Sequence, residues 1–497
     1  MRLSELREVL GGSPPQGDDP EVTGVAHDSR TVEPGDLFVA LVGQRFDGRA
    51  FVPAAVERGA VAVAGPLPDA GAPQGLNVPW IPVADPRALL GPLAARVYGH
   101  PDREMVMVGV TGTNGKSTVA TLVVAVLEAA GVPAGFLGTL GYRYRDRTFP
   151  GGHTTPEASD LFRTLRRMRD AGAEAVAMEV SSHALGFGRV NQAAFDVAVF
   201  TNLTRDHLDY HGGMEEYFAA KRRLFGEHLK AGGRAVVNVD DPYGRRLAGE
   251  IPGALSYGEK DGDVHARDFE MGPAGTRGVL VTPRGEAPFA TPLLGRYNLS
   301  NLLAAAAVAE ALALPLAAVT QALAAQRPVP GRLEPVDRGQ PFPIFVDYAH
   351  TDAALAAALR SVKEMTAIEK VAVVFGCGGE RDAGKRPLMG KVAGELADLA
   401  VVTSDNPRGE DPHAIIAAVV EGLKQSGNER YRVMPDRREA IRQAIQAVAA
   451  AGPGWALLVA GKGHEDYQIL GDRKVPFSDP EEIGRALEER FGSPVRG

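Results

Sequence analysis

A glycine-rich turn between an apolar run and a helical pattern is the feature that most constrains the fold of this chain. The run at 104–110 predicts a buried parallel strand, and the apolar spacing from Ser117 onward predicts a helix that ends at Gly131. Backbone N–H groups and the helix dipole at such a turn bind phosphate, with Lys116 reaching the outer phosphates and Ser117 offering its hydroxyl to a magnesium ion. The turn therefore predicts an ATP site formed by Gly112, Thr113, Asn114, Gly115, Lys116, Ser117 and Thr118.

The turn departs in one place from the usual eight-residue phosphate-binding motif. Val110 stands where that motif has its first glycine. A chance glycine-rich turn is the alternative interpretation. It is disfavoured because the strand and the helix both lie where phosphate binding needs them.

Length, charge and cysteine content restrict the class of protein further. A chain of 497 residues has room for about two to four domains. Its net charge of −8 argues against a general binder of nucleic acid or membrane surfaces, and no apolar run reaches the roughly eighteen residues of a membrane span. The single cysteine, Cys377, excludes an internal disulfide framework. We therefore expect a cytoplasmic multidomain protein.

Polar residues follow the strand-like runs that come after the turn. The run at 173–178 leads to Glu179, and the run at 196–200 leads to a segment that contains His207. Because ligands bind beyond the carboxyl ends of the strands in an open parallel sheet, we expect both residues to face the same crevice as Lys116. A carboxylate and an imidazole there suit magnesium coordination near phosphate, and a surface-loop position is the alternative for either residue alone.

A helix is predicted over 214–225, and Lys221 lies on its apolar face. Lys221 is four residues from both Tyr217 and Phe225, so the three side chains share that face. Two outcomes are open for a lysine in this position. Its amine reaches solvent at the end of the apolar stem, or burial disfavours the protonated amine and leaves it available for chemical modification.

A proline-rich linker at 328–335 separates the central region from a third one. Strand-like runs alternate with helical stretches beyond it, which predicts a doubly wound sheet with its own ligand crevice. The chain is thus predicted to be an α/β protein of three domains. These are a small N-terminal α/β domain at 1–100, a central P-loop ATPase-like parallel sheet at 101–335 and a C-terminal Rossmann-like doubly wound domain at 336–497.

Motifs distributed along nearly the whole chain resemble those of the Mur ligase family. They occur in the family's order at 111–118, 179–183, 202–209, 347–350, 376–382, 405–408 and 461–465. The resemblance implies a cytoplasmic, monomeric enzyme of peptidoglycan precursor synthesis whose domains bind a uridine nucleotide, ATP and an amino acid in turn. The last three motifs are similar to those of members that add a diamino acid to UDP-MurNAc-L-Ala-D-Glu.

The resemblance also implies the reaction and its cofactors, ATP and Mg²⁺. ATP phosphorylates the D-Glu side-chain carboxylate, and the amine of the diamino acid then attacks the acyl phosphate. The implied catalytic residues are Lys116, Glu179, His207 and Lys221. The implied metal ligands are Ser117, Glu179, His207 and a carbamate formed on Lys221, and the implied additional ATP contacts are Asn301, Arg332, Asp347 and His350.

Residues for the nucleotide substrate follow from the same resemblance. They are His27, Ser29, Gln44, Arg45, Phe46, His153, Thr154, Thr155, Ser181, Phe187 and Arg189. The sequence departs from the family pattern at three positions, because His153 stands where Asn is frequent, Phe187 where Gln is common, and Asp352 where Pro usually occurs. These departures concern individual contacts and not the reaction.

The segment 405–408 predicts which amino acid is used. The Arg408 guanidinium suits the second carboxylate of meso-diaminopimelate, and Glu465 suits the distal ammonium. The alternative is that Arg408 forms a loop salt bridge or binds an α-carboxylate, in which case L-lysine or L-ornithine would serve as well. The implied amino-acid contacts are Arg381, Asp405, Asn406, Pro407, Arg408, Gly461 and Glu465.

Two other functions are alternatives to the diamino-acid ligase. A folylpolyglutamate synthetase also joins an amine to an activated glutamate carboxylate, but it would not need the N-terminal domain with its segment 28–30 or the segment 405–408. A non-catalytic P-loop module that regulates a partner would leave the polar clusters of the third region unexplained. Both are therefore disfavoured.

Overall fold

The computed structural model describes residues 1–11, 18–43, 47–67, 75–272, 274–327 and 330–492. The chain divides into two compact units. The first comprises Met1–Leu203, His211–Val264 and Ala304–Val319, and the second comprises Thr204–Tyr210, His265–Leu303 and Thr320–Gly497. No helix within the described ranges combines the length and the apolar character needed to cross a membrane.

Strands and helices alternate from the N-terminus to residue 257. The strands are β1 (Gly24–Ala26), β2 (Asp36–Val39), β3 (Ala62–Pro66), β4 (Trp80–Val83), β5 (Val106–Thr111), β6 (Ala134–Gly138), β7 (Gly141–Tyr144), β8 (Arg147–Phe149), β9 (Ala175–Glu179), β10 (Phe195–Phe200), β11 (Leu229–Asn238) and β12 (Leu255–Tyr257). The helices are α1 (Val52–Glu57), α2 (Pro86–Val97), α3 (Pro101–Glu104), α4 (Lys116–Ala129), α5 (Ala158–Asp170), α6 (Ser182–Gly186), α7 (Leu208–His211), α8 (Met214–Glu227) and α9 (Pro242–Glu250).

The remaining elements begin with an antiparallel sheet and continue with an α/β alternation. The strands are β13 (His265–Gly272), β14 (Gly275–Thr282), β15 (Gly285–Thr291), β16 (Glu334–Pro335), β17 (Ile344–Asp347), β18 (Lys370–Phe375), β19 (Leu399–Val402), β20 (Tyr431–Val433), β21 (Trp455–Ala460), β22 (Tyr467–Leu470) and β23 (Arg473–Pro476). The helices are α10 (Arg296–Ala311), α11 (Leu316–Ala324), α12 (Asp352–Lys363), α13 (Lys385–Leu396), α14 (Pro412–Gln425), α15 (Arg437–Ala451) and α16 (Asp479–Phe491).

The first sheet is parallel, in the order β1-β2-β3-β4. Successive residues of β2 point to opposite faces, as strand geometry requires. Leu37 and Val39 therefore pack into a core shared with α2, whereas Phe38 packs into a second core with Val52 and Ala55 of α1. The predicted small N-terminal α/β fold is thus present.

The second sheet has eight strands in the order β12-β11-β10-β5-β9-β6-β7-β8. The pairs from β12 to β6 are parallel, and β7 and β8 add an antiparallel hairpin at one edge. The glycine-rich turn follows β5, which lies between β10 and β9. This central position is where an open α/β sheet forms its ligand crevice.

The third large sheet has the order β16-β17-β21-β18-β19-β20 and is parallel except for β16. Ile344 and Val346 of β17 pack against α15 and α16, whereas Phe345 packs on the other face with α12, α13 and α14. Helices therefore cover both faces, which confirms the predicted doubly wound fold. The short antiparallel edge strand β16 was not predicted.

The antiparallel sheet of β13, β14 and β15 was not predicted either. Its strands carry solvated charged pairs instead of a continuous apolar run. Arg277 of β14 pairs with Glu270 of the neighbouring β13, whereas Arg267 of β13 pairs with Glu286 of β15, on the far side of β14. Strands of this kind lack the buried apolar signal on which the interpretation of the other strands rested.

Candidate active site

The turn between β5 and α4 requires glycine at two positions. Gly112 has a φ of +145° and Gly115 has a φ of +87°, a region that side-chain-bearing residues rarely adopt. A Cβ atom on Gly112 would also collide with Thr201 Oγ1. Gly115 is the N-cap of α4, so the helix begins directly at Lys116. The predicted strand–turn–helix arrangement is confirmed.

The turn is held by residues at the carboxyl end of β10. Asn202 accepts from Thr113 N at 2.8 Å through its backbone carbonyl and from Asn114 N at 2.9 Å through its side chain. Thr201 Oγ1 donates to Asn114 O at 2.6 Å. The backbone of the turn is therefore held in place by the carboxyl end of β10. Thr201 and Asn202 belong to the motif at 202–209 and its flank, yet this supporting role was not predicted.

Two lysine amines converge on one carbonyl oxygen of the turn. Lys116 Nζ donates to Gly112 O at 3.0 Å and to Thr113 O at 2.8 Å. Lys221 Nζ donates to Gly112 O at 2.7 Å from the facing helix α8. The amine of Lys221 also lies 4.5 Å from the centroid of the Tyr217 ring.

Lys221 is 1% exposed, so its amine does not reach solvent. This excludes the first of the two outcomes left open by the sequence, because the stem does not carry the amine to the surface; the second stays a prediction. Tyr217 and Phe225 are buried on the same face of α8, as the spacing predicts. The Lys221 amine is thus enclosed beside the glycine-rich turn.

Glu179 ends β9 and is 1% exposed. Its Oε1 accepts from Thr139 N at 2.8 Å, and the Thr139 hydroxyl lies 3.1 Å from Thr154 Oγ1. The backbone carbonyl of Glu179 accepts from Thr155 Oγ1 at 2.9 Å, and Thr155 Oγ1 in turn accepts from Ser181 N at 3.0 Å. Four residues predicted for two different ligands are thus adjacent at the carboxyl end of β9: Glu179, Thr154, Thr155 and Ser181.

His207 belongs to the second compact unit. It has a φ of +53°, and its Nε2 lies 3.5 Å from Asp206 Oδ2. Its predicted place in the crevice with Lys116 stays a prediction. Within the described ranges, no three His, Cys, Asp or Glu residues form a ready metal site.

The predicted nucleotide-binding residues of the first unit lie in the turn after β1, just before α5 and around α6. His27 Nδ1 is 2.8 Å from Ser159 Oγ of α5, and Ser29 is buried in a short 3-10 turn capped by Asp28. The carbonyl of His153 accepts from Tyr142 at 2.6 Å, and burial lowers the pKa of the His153 imidazole. Three further predicted residues lie outside the described ranges: Gln44, Arg45 and Phe46.

Phe187 lies between two guanidinium groups. The Cζ atoms of Arg87 and Arg189 are 6.0 Å and 5.8 Å from its ring centroid. Both arginines pair with Glu157, at 3.1 Å from Arg87 Nη1 and 2.9 Å from Arg189 Nε. The aromatic residue found in place of the common Gln is therefore accommodated by cation–π contacts.

Asp347, at the end of β17, accepts three hydrogen bonds. The donors are Tyr297 Oη at 2.9 Å, Leu333 N at 2.8 Å and Ala349 N at 2.8 Å. Burial raises the pKa of the Asp347 carboxyl and also holds the pKa of Tyr297 well above its usual value. The side chain of Asp347 is therefore fixed at the strand end.

The other predicted ATP residues of the second unit are also anchored. His350 Nδ1 lies 2.9 Å from Tyr348 O, the carbonyl of His350 accepts from Lys385 Nζ at 2.8 Å, and burial lowers the pKa of its imidazole. Arg332 lies over the Tyr348 ring, with Cζ 5.2 Å from its centroid. Asn301 is buried in α10.

The predicted amino-acid contacts come together at the carboxyl ends of β18, β19 and β21. Asn406 Nδ2 donates to Glu465 Oε2 at 2.9 Å. A Cβ atom on Gly461 would lie 3.5 Å from Asp405 Oδ2, and one on Gly379 would collide with Pro407 O. These contacts join the segment 405–408 to the loops that follow β18 and β21.

Arg408 and Arg381 flank one glycine of the β18 loop. A Cβ atom on Gly378 would lie 3.1 Å from Arg408 Nη1 and 3.9 Å from Arg381 Cγ. Arg408 has a φ of +54°, and its Nη1 donates to Gly379 O at 2.7 Å. The side chains of both arginines thus pass close to the same glycine. In the described structure this Nη1 donor of Arg408 is directed at a backbone carbonyl.

Family models match most of the chain. The Mur ligase family catalytic domain matches residues 21–98, the Mur ligase middle domain matches 110–309, and the Mur ligase glutamate ligase domain matches 331–463. These matches cover nearly all of the three large sheets and all the predicted site residues except Glu465. The fold and the glycine-rich turn are those of an α/β phosphate-binding protein. The matches narrow this class to one family.

Relatives align from end to end. The UDP-N-acetylmuramoyl-L-alanyl-D-glutamate--2,6-diaminopimelate ligase of Geobacter metallireducens is 47% identical, over 98% of this chain and 99% of its own length. A solved structure of a ligase of that name is 33% identical and covers 99% of both chains with a TM-score of 0.68. The chain belongs to the Mur ligase family.

A more distant neighbour shares the fold alone. Folylpolyglutamate synthase of Mycobacterium tuberculosis, solved in complex with ADP and AMPPCP, is 20% identical with a TM-score of 0.61. It covers 75% of this chain and 92% of its own. The full-length match to the diaminopimelate ligases is therefore more extensive.

Proposed function

We propose that this protein is an ATP-dependent ligase that adds meso-diaminopimelate to the D-Glu side-chain carboxylate of UDP-MurNAc-L-Ala-D-Glu, a cytoplasmic step of peptidoglycan precursor synthesis. The observation that carries this proposal is the end-to-end identity of 47% with a ligase of that name. The same ligase acting on L-lysine or L-ornithine is the alternative. A folylpolyglutamate synthetase is disfavoured by the smaller coverage of that neighbour.

Activation of the carboxylate is the chemical problem that ATP solves. A carboxylate oxygen attacks the γ-phosphorus and ADP leaves, which gives an acyl phosphate. The amine then attacks the acyl carbon, the bond to the phosphate oxygen breaks, and the amine loses a proton. We assign Lys116 to the charge that develops on the transferring phosphoryl group, because its ammonium already lies against the phosphate-binding turn.

The residues present fit a magnesium ion. Ser117 offers a hydroxyl in the first turn of α4, and Glu179 offers a buried carboxylate whose Oε1 is anchored by Thr139. Magnesium at phosphate sites uses one or two carboxylates together with phosphate oxygens and waters, so a cluster of three protein ligands is not needed. When bound, the ion neutralises phosphate charge. We propose His207 as a further residue of this site.

A carbamate on Lys221 is part of the proposal. The neutral amine attacks carbon dioxide, an N–C bond forms and one proton is released. The product carries anionic oxygens where the amine now contacts Gly112 O. These oxygens are suited to a second magnesium ion, and Lys221 is enclosed within the protein beside the turn.

We assign one ligand to each predicted domain. The domain at 1–100 takes the uridine end of the nucleotide, and Thr154, Thr155, Ser181 and Arg189 of the central domain take its pyrophosphate and peptide. The domain at 101–335 takes ATP, and the domain at 336–497 takes the amino acid and completes the ATP site with Asp347 and His350. The enzyme is expected to act as a monomer.

The test is phosphate release by the purified full-length chain. Release is expected only when ATP, Mg²⁺, UDP-MurNAc-L-Ala-D-Glu and diaminopimelate are all present. Omitting either the nucleotide or the amino acid should abolish product formation. Turnover with a folate substrate, or ATP hydrolysis that ignores both substrates, would contradict the proposed function.

A further inference from the structure

Lys462, in the loop after β21, is a fully buried lysine to which the proposed reaction assigns no role. Its side chain has 0% exposed surface. Nζ lies 3.0 Å from Glu465 Oε2, 3.4 Å from Asn406 Oδ1 and 3.5 Å from Asp405 Oδ1. The three acceptors belong to two different loops. One ammonium therefore bridges both loops.

A buried ammonium of this kind needs several partners. Removing a charged group from water costs free energy that only close hydrogen bonds and opposite charges offset. An ammonium has three donors, and Lys462 has three acceptors within 3.5 Å. Two of these acceptors are carboxylates, so the cluster has one more negative than positive charge. The excess favours an additional cation.

Lys462 also fixes which oxygen of Glu465 is used. Both Lys462 Nζ and Asn406 Nδ2 donate to Oε2. Oε1 has no hydrogen-bond partner among the residues that the structure describes. The orientation of Asn406 is set in the same way, because its Oδ1 faces Lys462 and accepts from Ile469 N at 2.9 Å.

We propose that Lys462 is a positioning residue for the distal end of the diamino acid. By neutralising one carboxylate and holding Oε2 of Glu465, it leaves Oε1 and the remaining negative charge to receive the distal ammonium. Lys462 does not touch the substrate. The inference rests on the proposed function, since it assigns the cluster of Asp405, Asn406 and Glu465 to amino-acid recognition.

The decisive measurement is the KM of each substrate for Lys462→Met in the full-length enzyme. The KM for diaminopimelate is expected to rise about tenfold or more, because Oε2 of Glu465 and Oδ1 of Asn406 lose the buried partner that holds them in position. The KM values for ATP and for the nucleotide should stay within about twofold. Acyl phosphate formed without the amino acid, trapped by borohydride reduction, should be unchanged.

Two related variants keep the test decisive. Lys462→Arg restores the charge and is expected to recover part of the lost affinity for diaminopimelate. Lys462→Gln removes the charge but keeps a donor, and it replaces Lys462→Met if that variant does not fold. If neither neutral variant folds, Lys462 is a structural residue and the proposal is wrong.

Lys474→Met is the matched control. Lys474 lies 3.5 Å from the centroid of the Tyr467 ring, and Lys462 lies 5.6 Å from the same centroid. Lys474 is exposed on β23, so its substitution should leave all three KM values unchanged. An equal rise of the three KM values in Lys462→Met, or no rise, would overturn the positioning role. Absence of diaminopimelate-dependent turnover in the wild type would instead refute the proposed function.

Discussion

Arg163 Nη2 lies 2.6 Å from Asp36 Oδ2, and both side chains are at most 9% exposed. The same guanidinium donates to Tyr98 Oη at 2.8 Å and to the backbone carbonyls of Val25 and Thr31 at 2.9 Å and 3.1 Å. Arg163 belongs to α5, and its partners belong to the N-terminal sheet and the segments around it. This network therefore ties the turn that carries Ser29 to the helix whose first turn contacts His27.

Arg163→Leu should destabilise the first compact unit by about 3–5 kcal/mol. The substitution leaves the Asp36 carboxylate buried without its cation, which costs far more than the pair contributes in total. Urea unfolding monitored by circular dichroism measures the change. Arg166→Leu, on the same helix, removes an exposed pair with Asp170 and should cost less than about 1 kcal/mol. An equal decrease in the free energy of unfolding for the two variants would show that the buried network stabilises the unit no more than the exposed pair does.

Lys116→Ala should reduce kcat by at least about a hundredfold, because the ammonium is used on phosphate charge. The free energy of unfolding should change little, since the backbone of the turn is held by Thr201 and Asn202. Phosphate release and thermal unfolding are the measurements. Lys230→Ala is the control, because Lys230 contacts Asp196 and Met105 O, before the carboxyl ends of the strands. Substantial turnover by a folded Lys116→Ala protein would refute the ATP assignment.

Lys221→Ala should be nearly inactive and partly restored by short carboxylic acids, which supply the oxygens of the missing carbamate. Labelling the wild type with ¹³C bicarbonate should give a carbamate signal that the variant lacks. Added bicarbonate should change wild-type activity little. Arg222→Ala, at the neighbouring exposed position, should behave like the wild type. A wild type without the signal, together with a variant that no acid restores, would rule out the carbamate.

Arg408→Ala should lower kcat/KM for diaminopimelate by about a hundredfold and affect L-lysine much less. The guanidinium matches the second carboxylate, which lysine lacks. Side-by-side kcat/KM values for diaminopimelate, L-lysine and L-ornithine in both proteins measure the preference. The exposed Arg432 on β20 provides a control substitution to Ala. A wild-type preference for lysine or ornithine would show that the segment 405–408 does not determine specificity.

The free energy of unfolding of the first unit should fall in mild acid because of the buried His228. Burial lowers the pKa of its imidazole below the ordinary value of 6.5, and its Nδ1 lies 3.3 Å from Ala193 O. The unfolded chain then binds a proton that the folded chain does not, so the free energy of unfolding falls as the pH drops below 6.5. The contribution is at most about 1.4 kcal/mol per pH unit.

Unfolding at pH 7.5 and pH 5.5 compares the wild type with His228→Gln, whose amide replaces the ring donor. The variant should show the weaker dependence on pH. The same slope in both proteins would show that His228 is not the responsible group.

Strands with continuous apolar runs could be predicted from the sequence. Val106–Thr111 and Ala175–Glu179 were expected close to these bounds, at 104–110 and 173–178, because buried parallel strands need apolar side chains on both faces. The charged strands Gly275–Thr282 and Gly285–Thr291 have no such run. Their pairing depends on contacts between strands, which local sequence does not report.

The candidate site divides in the same way. Lys116 and Lys221 could be assigned from a turn motif and a helical spacing, both of which are local patterns. The burial of Lys462 could not be predicted in this way, because its partners Asp405 and Asn406 are more than fifty residues away in the sequence. Only the sheet order, which places β21 and β19 on either side of β18, brings these residues together.

A side chain at Gly112 would collide with Thr201. The turn is therefore under two different constraints, one from packing at Gly112 and one from chemistry at Lys116. A duplicated copy of this chain that had lost its use for ATP would still need glycine at 112, because the demand comes from packing. The demand on Lys116 is of a different kind, because its amine donates to the carbonyls of the turn and is assigned to phosphate charge. A divergent copy that has glycine at 112 but not lysine at 116 would therefore be expected to keep the fold of the turn and to have lost the use of ATP.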